Sequence, residues 1–214
     1  MSTMKIIPLA FDSMGVRSMA TFVETDIKIM IDPGASLGPK RYGLPPHRIE
    51  IERLNELTER IVEYALKADI ITISHYHYDH YMPACDIYSE KLLLIKHPEK
   101  NINRSQFLRA KAFMEFLDKK PREIHFADND EFVFNGTRIK VSPPVFHGLS
   151  HKLGYVIMVE IEYNGKRFIH ASDVQGPQTE QATEWIIKEN PDILIISGFA
   201  TIFLGWRFSE RYFE

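Results

Sequence analysis

Short apolar runs with alternating or β-branched residues recur along the chain, and polar turns separate them. They predict strands over residues 4–11, 18–25, 27–34, 70–73, 123–127, 131–136, 138–143, 153–165, 166–173 and 192–197. Asn164-Gly165 joins two of these strands as a predicted hairpin, because this dipeptide suits a two-residue turn. The run at residues 192–197 is strongly apolar and is expected to be a buried strand.

Three other segments repeat apolar residues at helical spacing. The first, at residues 49–68, places five apolar side chains on one face opposite charged residues. Those five are Ile51, Leu54, Leu57, Ile61 and Ala65. A second helix is predicted over residues 105–120 and a third over residues 178–190, each stopped by a following proline. Interleaved helices, strands and hairpins predict one domain with mixed sheets.

Composition limits the classes of protein to which this chain can belong. With 214 residues, 44% of them hydrophobic and 26% charged, the chain suits an ordinary globular domain with a sizeable core. The net charge of -3 argues against a sequence-independent grip on nucleic acid or membrane. The single cysteine, Cys85, fits a reducing compartment. We therefore expect a soluble cytoplasmic protein without a signal peptide or membrane span.

A dense cluster of metal-ligand side chains follows one β-branched strand. The heptapeptide Ser-His-Tyr-His-Tyr-Asp-His at residues 74–80 holds three of the nine histidines of the chain. In extended backbone, residues two apart project to the same side, so His75 and His77 can bind one ion together. A turn beyond them can direct Asp79 and His80 towards a second position. Imidazole and carboxylate together suit zinc, iron or manganese, whereas calcium prefers oxygen ligands alone.

Two further ligand-type side chains follow predicted strands downstream. His147 comes after the apolar run at residues 138–146, directly before Gly148. Asp173 ends the strand that begins at Lys166. Because the ends of several strands can converge at one edge of a sheet, these side chains and the heptapeptide are expected to meet.

The order of these features along the chain resembles the sequence pattern of the metallo-β-lactamase superfamily. The resemblance rests on the S-H-x-H-x-D-H motif, the Ile-Asp-Pro-Gly segment at residues 31–34, the Phe-His-Gly loop and the Ala-Ser-Asp-Val-Gln-Gly-Pro segment. The chain is most similar to a largely archaeal branch of predicted metal-dependent hydrolases. The resemblance implies an α+β fold, a four-layer αββα sandwich with mixed sheets, for a single domain over residues 1–214.

The resemblance also implies which residues bind metal. The first ion would be held by His75, His77 and His147, the second by Asp79 and His80, and both by Asp173. Asp32 would orient an imidazole by a hydrogen bond, and Asp79 would act in catalysis by orienting a metal-activated hydroxide. Zinc is the expected metal, as one or two ions, with iron or manganese as alternatives. His77 replaces the glutamate of the di-iron, oxygen-reducing branch, and this favours hydrolysis.

The chain departs from the superfamily pattern at one point. A further histidine usually completes the second site, but no histidine follows His170. The second ion is therefore expected to bind weakly or not at all. The chain ends in an apolar and aromatic run, Ile202, Phe203, Leu204, Trp206, Phe208, Tyr212 and Phe213, where another strand and helix would be expected. Either the fold is truncated at its C-terminal end or a partner covers this run, for example in a homo-oligomer.

For several residues, a structural role is the alternative to a role in metal binding or catalysis. His151 lies four residues after His147 and is the alternative ligand in that loop. Asp173 could cap the following helix, and Asp32 could be a turn residue only. Cys85 is interpreted as a small buried residue rather than a nucleophile. The remaining histidines, His47, His97, His125 and His170, are interpreted as structural or exposed.

Two features are expected to shape the substrate pocket. Tyr76, Tyr78 and Tyr81 flank the predicted ligands and are expected to line it. The loop at residues 38–48 carries five basic or aromatic residues among its prolines: Lys40, Arg41, Tyr42, His47 and Arg48. As a lid this loop would favour an anionic substrate, and the alternative is a solvated loop.

Three alternative functions are compatible with these sequence features. The first is a metal-dependent hydrolase acting on a small-molecule ester, thioester or lactone, or on a phosphodiester. The second is an RNA- or DNA-processing nuclease of the same fold, which the acidic charge and the lack of a basic, aromatic stripe disfavour. The third is a non-catalytic metal-binding or scaffold protein.

Overall fold

The computed structural model describes residues 3–38, 43–118, 120–176, 178–199 and 201. The described chain contains three α-helices: α1 (Arg48–Lys67), α2 (Arg104–Leu117) and α3 (Glu180–Glu189). All three lie where the helical spacing predicts them. The N-caps of α2 and α3 are Asn103 and Thr179, whose side chains accept hydrogen bonds from backbone N–H groups of the first turn.

The first sheet has six strands. They are β1 (Lys5–Phe11), β2 (Met19–Glu24), β3 (Lys28–Ile31), β4 (Ile70–Ile73), β5 (Leu92–Ile95) and β6 (Glu123–Phe126). Their order in the sheet follows the sequence. The pairs from β1 to β3 are antiparallel, and those from β3 to β6 are parallel. The carboxyl ends of β3, β4 and β5 therefore meet at one edge of this sheet.

The second sheet has five strands, and a two-stranded ribbon accompanies it. The sheet contains β7 (Glu131–Phe134), β8 (Thr137–Val141), β11 (Val159–Tyr163), β12 (Lys166–Ala171) and β13 (Ile193–Ile196), and the ribbon pairs β9 (Val145–Phe146) with β10 (Tyr155–Val156). The strand order is β13-β12-β11-β8-β7, with only the β12–β13 pair parallel. Mixed sheets are therefore confirmed.

Three apolar clusters define four layers. In the first cluster, α1 and α2 pack on the outer face of the first sheet, for example through Leu57 and Phe113. In the second, side chains such as Ile29 and Ile161 fill the space between the two sheets. In the third, Ala182 and Ile186 of α3 pack on the outer face of the second sheet. This is the αββα sandwich that the resemblance implies, so the fold class is confirmed.

The predicted hairpin at Asn164-Gly165 is also present. Both residues have positive φ, 51° and 72°, and they join the antiparallel strands β11 and β12. Positive φ at both central residues is the geometry of the turn that matches the twist of a hairpin. This turn fixes the register of the strand that leads to Asp173.

The structure corrects three features of the predicted pattern. Strand β5 (Leu92–Ile95) is buried in the centre of the first sheet, although the strand pattern above does not include it. Among the described residues, β13 is the edge strand of its sheet, and Ile193 is 52% and Leu194 40% exposed, so this apolar run is not a buried strand there. On α1, Ile51 is 45% exposed, because the buried stripe of the helix begins further along, at Leu57.

None of the helices in the described ranges is long and apolar enough to cross a membrane. The apolar run at residues 202–214 lies outside the described residues. Its interpretation as a shortened end or a covered surface stays a prediction, as does the single-domain assignment.

Candidate metal centre

The heptapeptide at residues 74–80, here called the motif loop, follows the carboxyl end of β4. The loop is irregular and turn-like rather than extended as expected, yet it still brings the first two imidazoles together. Nε2 of His75 lies 3.0 Å from Nδ1 of His77. The ring of His80 lies against that of His75, with centroids 4.2 Å apart.

The second sheet and the ribbon that accompanies it supply the other two ligand-type side chains. His147 follows β9 and Asp173 follows β12. Oδ2 of Asp173 is 2.9 Å from Nε2 of His147, 3.3 Å from Nε2 of His80 and 3.6 Å from Nε2 of His75. A single carboxylate oxygen therefore lies within reach of three imidazoles.

These side chains form two groups with the spacing of metal sites. The first group contains His75, His77, His147 and Asp173, and the second contains Asp79, His80 and Asp173. The grouping is the one that the resemblance implies, with Asp173 shared. The second group has three protein donors in the described part of the chain, which agrees with the missing histidine. Metal binding itself stays a prediction.

Asp173 does not cap the following helix. The N-cap of α3 is Thr179. Asp173 has φ of 49°, a left-handed conformation that aspartate and asparagine adopt more readily than most other residues. Two residues on, the side chain of Gln175 packs against Gly148, where an added Cβ would lie 2.4 Å from its Oε1. This contact ties the loop of Asp173 to the loop of His147.

Asp32 is more than a turn residue. It lies just beyond the end of β3, is fully buried and accepts four hydrogen bonds. Oδ1 accepts from the backbone N–H of Ser74 at 2.7 Å. Oδ2 accepts from the hydroxyl groups of Ser74 and Ser172 at 2.7 and 2.6 Å, and from Nδ1 of His80 at 3.0 Å. The contact with Nδ1 directs Nε2 of His80 towards Asp79 and Asp173.

The protonation states of His75 and His77 suit metal ligands. Burial and the neighbouring imidazoles hold the pKa of His75 well below its ordinary value, and burial lowers the pKa of His77 to about 3. Both rings are therefore neutral near pH 7, as metal binding requires. Burial alone would raise the pKa of Asp79, but the positive charges of His80 and Arg17 outweigh it and lower the pKa to about 2.

His80 and Asp173 stabilise each other's charge. Although burial favours the neutral ring, Asp173 and Asp79 raise the pKa of His80 well above its usual value. Burial would also raise the pKa of Asp173, but the positive potential of His80 and His147 holds it well below its usual range.

The side chains fit a transition-metal ion. Neither ring nitrogen of the buried His147 makes a well-aligned hydrogen bond with a described group, although Nε2 lies close to Asp173. A buried imidazole without such a bond is costly, and a bound cation at Nε2 would offset that cost. Three imidazoles and a carboxylate form a nitrogen and oxygen donor set suited to zinc, iron or manganese.

Five of the six candidate ligands, all except the fully buried His75, line a cavity of about 900 Å³, here called the site cavity. Sequence reasoning missed charged side chains that also line it, among them Asp12, Arg17 and Arg109. Arg17 forms an ion pair with Asp79, Nη2 to Oδ2 at 2.6 Å. Burial, together with the charge of Asp173, raises the pKa of Asp12. None of the three belongs to a sequence motif, so no local signal identifies them.

Of the three tyrosines in and beside the motif loop, only Tyr78 lines the site cavity. Tyr76 and Tyr81 are buried in the cluster under α1 and α2, so the expectation that they line the pocket is wrong. The hydroxyl group of Tyr76 donates to the backbone carbonyl of Lys96 at the end of β5. Both rings contact Phe113 and support the motif loop from below.

His151, the alternative ligand, does not reach the site, and neither do the described basic residues of the loop at residues 38–48. His151 is exposed, and its ring contacts that of Phe146 edge to face. Lys40, Arg41 and Tyr42 lie outside the described residues, so the lid stays a prediction. The other two basic residues of that loop belong to α1: His47 caps the helix, and Arg48 pairs with Glu52 at the surface.

The remaining histidines and the cysteine lie elsewhere, as expected. Nδ1 of His97 accepts backbone hydrogen bonds from Glu99 and Lys100, and His125 pairs with Glu123 at the surface. His170 is buried, with Nε2 2.9 Å from the backbone carbonyl of Met19. Cys85 is half-buried, and burial raises the pKa of its thiol, which is the opposite of nucleophile activation.

Comparison with known proteins finds close relatives among archaea, although no family model matches the chain. The chain is 46% identical over 224 residues to the UPF0282 protein MJ1629 of Methanocaldococcus jannaschii, an alignment that covers 99% of this chain and 76% of that protein. It is 51% identical over 219 residues to a UPF0282 protein of Thermococcus gammatolerans, covering 95% of this chain and 72% of the relative.

Solved structures show the fold at low sequence identity. The metallo-β-lactamase fold protein YhfI of Bacillus subtilis matches 89% of this chain and 69% of its own, with a TM-score of 0.55 and 15% identity. A metallo-β-lactamase of Thermotoga maritima matches 93% of this chain and 98% of its own, with a TM-score of 0.54 and 13% identity. Zn²⁺-bound PqqB of Methylobacterium extorquens matches 84% of this chain and 60% of its own, with a TM-score of 0.50 and 12% identity.

Proposed function

The chain belongs to the archaeal UPF0282 family and has the metallo-β-lactamase fold, and on this basis we propose that it is a metal-dependent hydrolase. Its substrate would be an ester, thioester, lactone or phosphodiester. Zinc is the proposed metal, because the donor set suits it and because PqqB, which shares the fold, binds it.

One observation carries this proposal: His75, His77, His147 and Asp173 converge, and all of them except the fully buried His75 line the site cavity. The four come from three loops that are distant in sequence. Burial disfavours such a polar cluster unless its members are paired or bind a ligand. The cavity beside them is large enough for a small-molecule substrate, since ligand pockets have volumes of about 300–1,000 Å³.

A divalent ion held by these side chains would lower the pKa of a bound water towards neutrality and polarise a carbonyl or phosphoryl oxygen. Asp79 is ionised at neutral pH, so its carboxylate can accept a hydrogen bond from that water and orient it. Arg17 keeps Asp79 in place through their 2.6 Å ion pair. The carboxylate of Asp32 keeps Nε2 of His80 directed into the site.

The test is hydrolysis by protein reconstituted with zinc, using 4-nitrophenyl acetate, an acyl thioester, a lactone and bis(4-nitrophenyl) phosphate as representatives of the four classes. We expect turnover of at least one class, and its loss on chelation. Asp79→Asn should lower kcat by about 100-fold or more, because it removes the water-orienting carboxylate. Asp86→Asn is the matched control, since Asp86 is a surface residue that pairs with Ser89.

Two outcomes would contradict the proposal. The first is no turnover of any of the four classes with zinc, iron or manganese bound. The second is turnover that persists both after chelation and in the Asp79→Asn variant, which would place the activity outside this site.

A further inference from the structure

Arg109 projects from α2 into the site cavity and flanks the predicted metal ligand His77. We propose that Arg109 binds an oxyanion of the substrate, so that the substrate is a phosphodiester or another phosphate-bearing ester. This inference rests on the proposed function and narrows it to one class of substrate.

The contacts of Arg109 place its guanidinium group beside the metal ligands. Its Nη1 lies 3.5 Å from the backbone carbonyl of Tyr76, and its Cζ lies 4.7 Å from the ring centre of Tyr78. These two residues flank His77 in sequence. The guanidinium group thus packs on both neighbours of one candidate ligand, within the same cavity as His77 and His147.

These contacts leave most of the donors of Arg109 unused. A guanidinium group has five N–H donors, and a contact of 3.5 Å is at the limit of hydrogen bonding. The ring of Tyr78 attracts the guanidinium group through its π face and offers no oxygen acceptor there. A guanidinium edge matches two oxygens of a phosphate or a carboxylate, and this pairing is stronger than a neutral hydrogen bond.

No carboxylate of the described residues lies within ion-pair distance of Arg109. The positions three and four residues away on α2 are Ser105, Gln106, Ala112 and Phe113, so the helix supplies no acidic partner. The other arginine of the cavity, Arg17, is already paired with Asp79. Arg109 is therefore a cation without a described anionic partner.

Bound metal would make the site cavity more positive, and this would favour an anionic substrate. Among the described residues, four carboxylates line the site cavity: Asp12, Glu50, Asp79 and Asp173. One divalent cation and the two arginines would balance these four charges, and a second ion, where it binds, would leave excess positive charge. A negatively charged substrate would neutralise this excess, whereas an uncharged ester would not.

A phosphate group fits this arrangement better than a remote carboxylate. Because Arg109 lies beside the candidate ligands, its partner oxyanion must lie next to the bond that is cleaved. In a phosphodiester the charge is on the phosphorus centre that reacts, so one group can contact both the metal site and Arg109. This position would also stabilise the charge that develops on the phosphoryl oxygens during the reaction.

The experiment compares Arg109→Gln and Arg109→Lys with the wild-type protein after zinc content has been measured in each. Arg104→Gln is the matched control, because it removes the same charge from the exposed first residue of the same helix. Calorimetric titration with inorganic phosphate, and separately with succinate, measures oxyanion binding without any need for turnover. The kcat/KM values for bis(4-nitrophenyl) phosphate and 4-nitrophenyl acetate are then compared.

We expect Arg109→Gln to weaken phosphate binding by about tenfold or more, and to lower kcat/KM on the phosphodiester relative to the acetate by a similar factor. Arg109→Lys should recover part of both, since it keeps the charge but loses the two-point contact. Arg104→Gln should match the wild type, and zinc content should be equal in all four proteins.

Equal phosphate affinity in the wild type and Arg109→Gln would overturn the inference. So would a loss confined to succinate, which would indicate a carboxylate ligand. Phosphate binding that depends on Arg109, in a protein that hydrolyses nothing, would support the oxyanion site and contradict the hydrolase. Hydrolysis in which the ratio of kcat/KM for the phosphodiester to that for the acetate is the same in the wild type and Arg109→Gln would support the hydrolase and contradict the oxyanion site.

Discussion

Asp32 shows how much one buried residue contributes to this site. Its carboxylate accepts hydrogen bonds from Ser74, Ser172 and His80, and so connects both sheets with the motif loop. Burial would raise the pKa of Asp32, but the hydrogen bond and charge of His80 outweigh it and lower the pKa. Its φ of 49° is one that aspartate and asparagine tolerate better than most residues.

We predict that Asp32→Asn weakens metal binding by about 10- to 100-fold, the range typical of residues that orient a ligand. Asparagine keeps the shape and the backbone conformation. Its NH2 group would, however, replace an oxygen that now accepts buried hydrogen bonds, which leaves at least one buried donor without an acceptor. Competition with a chromophoric chelator measures the affinity.

Asp192→Asn is the control, since Asp192 makes its hydrogen bonds with Lys166 and Arg167, at the end of the second sheet that is far from the site. Equal affinity in the wild type and Asp32→Asn would contradict the role assigned to Asp32.

The sequence allowed the role of Asp32 to be predicted, but not those of Arg17 and Arg109. Asp32 belongs to the Ile-Asp-Pro-Gly segment, which carries part of the resemblance. The two arginines belong to no motif, and they reach the cavity only because of how β2 and α2 pack around the motif loop. A side chain placed by tertiary packing leaves no spacing in the sequence from which to infer its position.

At the level of elements, the segment after β3 is packed tightly against the motif loop. A Cβ at Gly34 would lie 2.2 Å from the backbone nitrogen of Tyr81 and 2.6 Å from backbone atoms of His80. Ser18 holds the same segment by donating its hydroxyl to the carbonyl of Gly34 at 2.5 Å. Close approach of two backbones, and not a left-handed φ, is therefore what requires glycine here.

We predict that Gly34→Ala lowers the free energy of unfolding by about 1–3 kcal/mol or more, because the added methyl group must displace backbone rather than a side chain. Since the displaced backbone carries His80, affinity for a second metal ion should fall as well. Urea denaturation measures the stability change. Gly198→Ala is the control: no described heavy atom lies within 4 Å of its added Cβ, and its φ is not left-handed. Equal stability of wild type and Gly34→Ala would show that the segment is free to move.

Periodicity predicted most elements, and the exceptions have physical causes. Strand β5 is a run of only four residues, rich in leucine and flanked by lysines, so its pattern is as compatible with a short helix. Strand β13 has the apolar pattern of a buried strand, but it pairs only with β12 and lies at the sheet edge in the described chain. Whether a strand is central depends on the order of strands in the sheet, which local pattern does not encode.

At the level of the whole molecule, the sandwich is what assembles the site. The motif loop and Asp32 come from the first sheet, and His147 and Asp173 come from loops of the second sheet and its accompanying ribbon. The apolar layer between the sheets fixes their separation, so the Nε2 atoms of His80 and His147 lie 3.3 and 2.9 Å from the same carboxylate oxygen of Asp173. Strand ends and the family resemblance together predicted this convergence. The distances, the cavity and its charge balance required the folded structure.

The central claim is that the cluster binds metal, and elemental analysis of protein purified without chelator tests it most directly. We predict about one equivalent or more of metal per chain in the wild type, since the first group offers four donors. His77→Ala should hold far less, because it removes a donor from that group. His125→Ala, which changes a surface histidine paired with Glu123, should match the wild type. Full metal content in His77→Ala, or none in the wild type even after reconstitution with zinc, iron or manganese, would contradict the account.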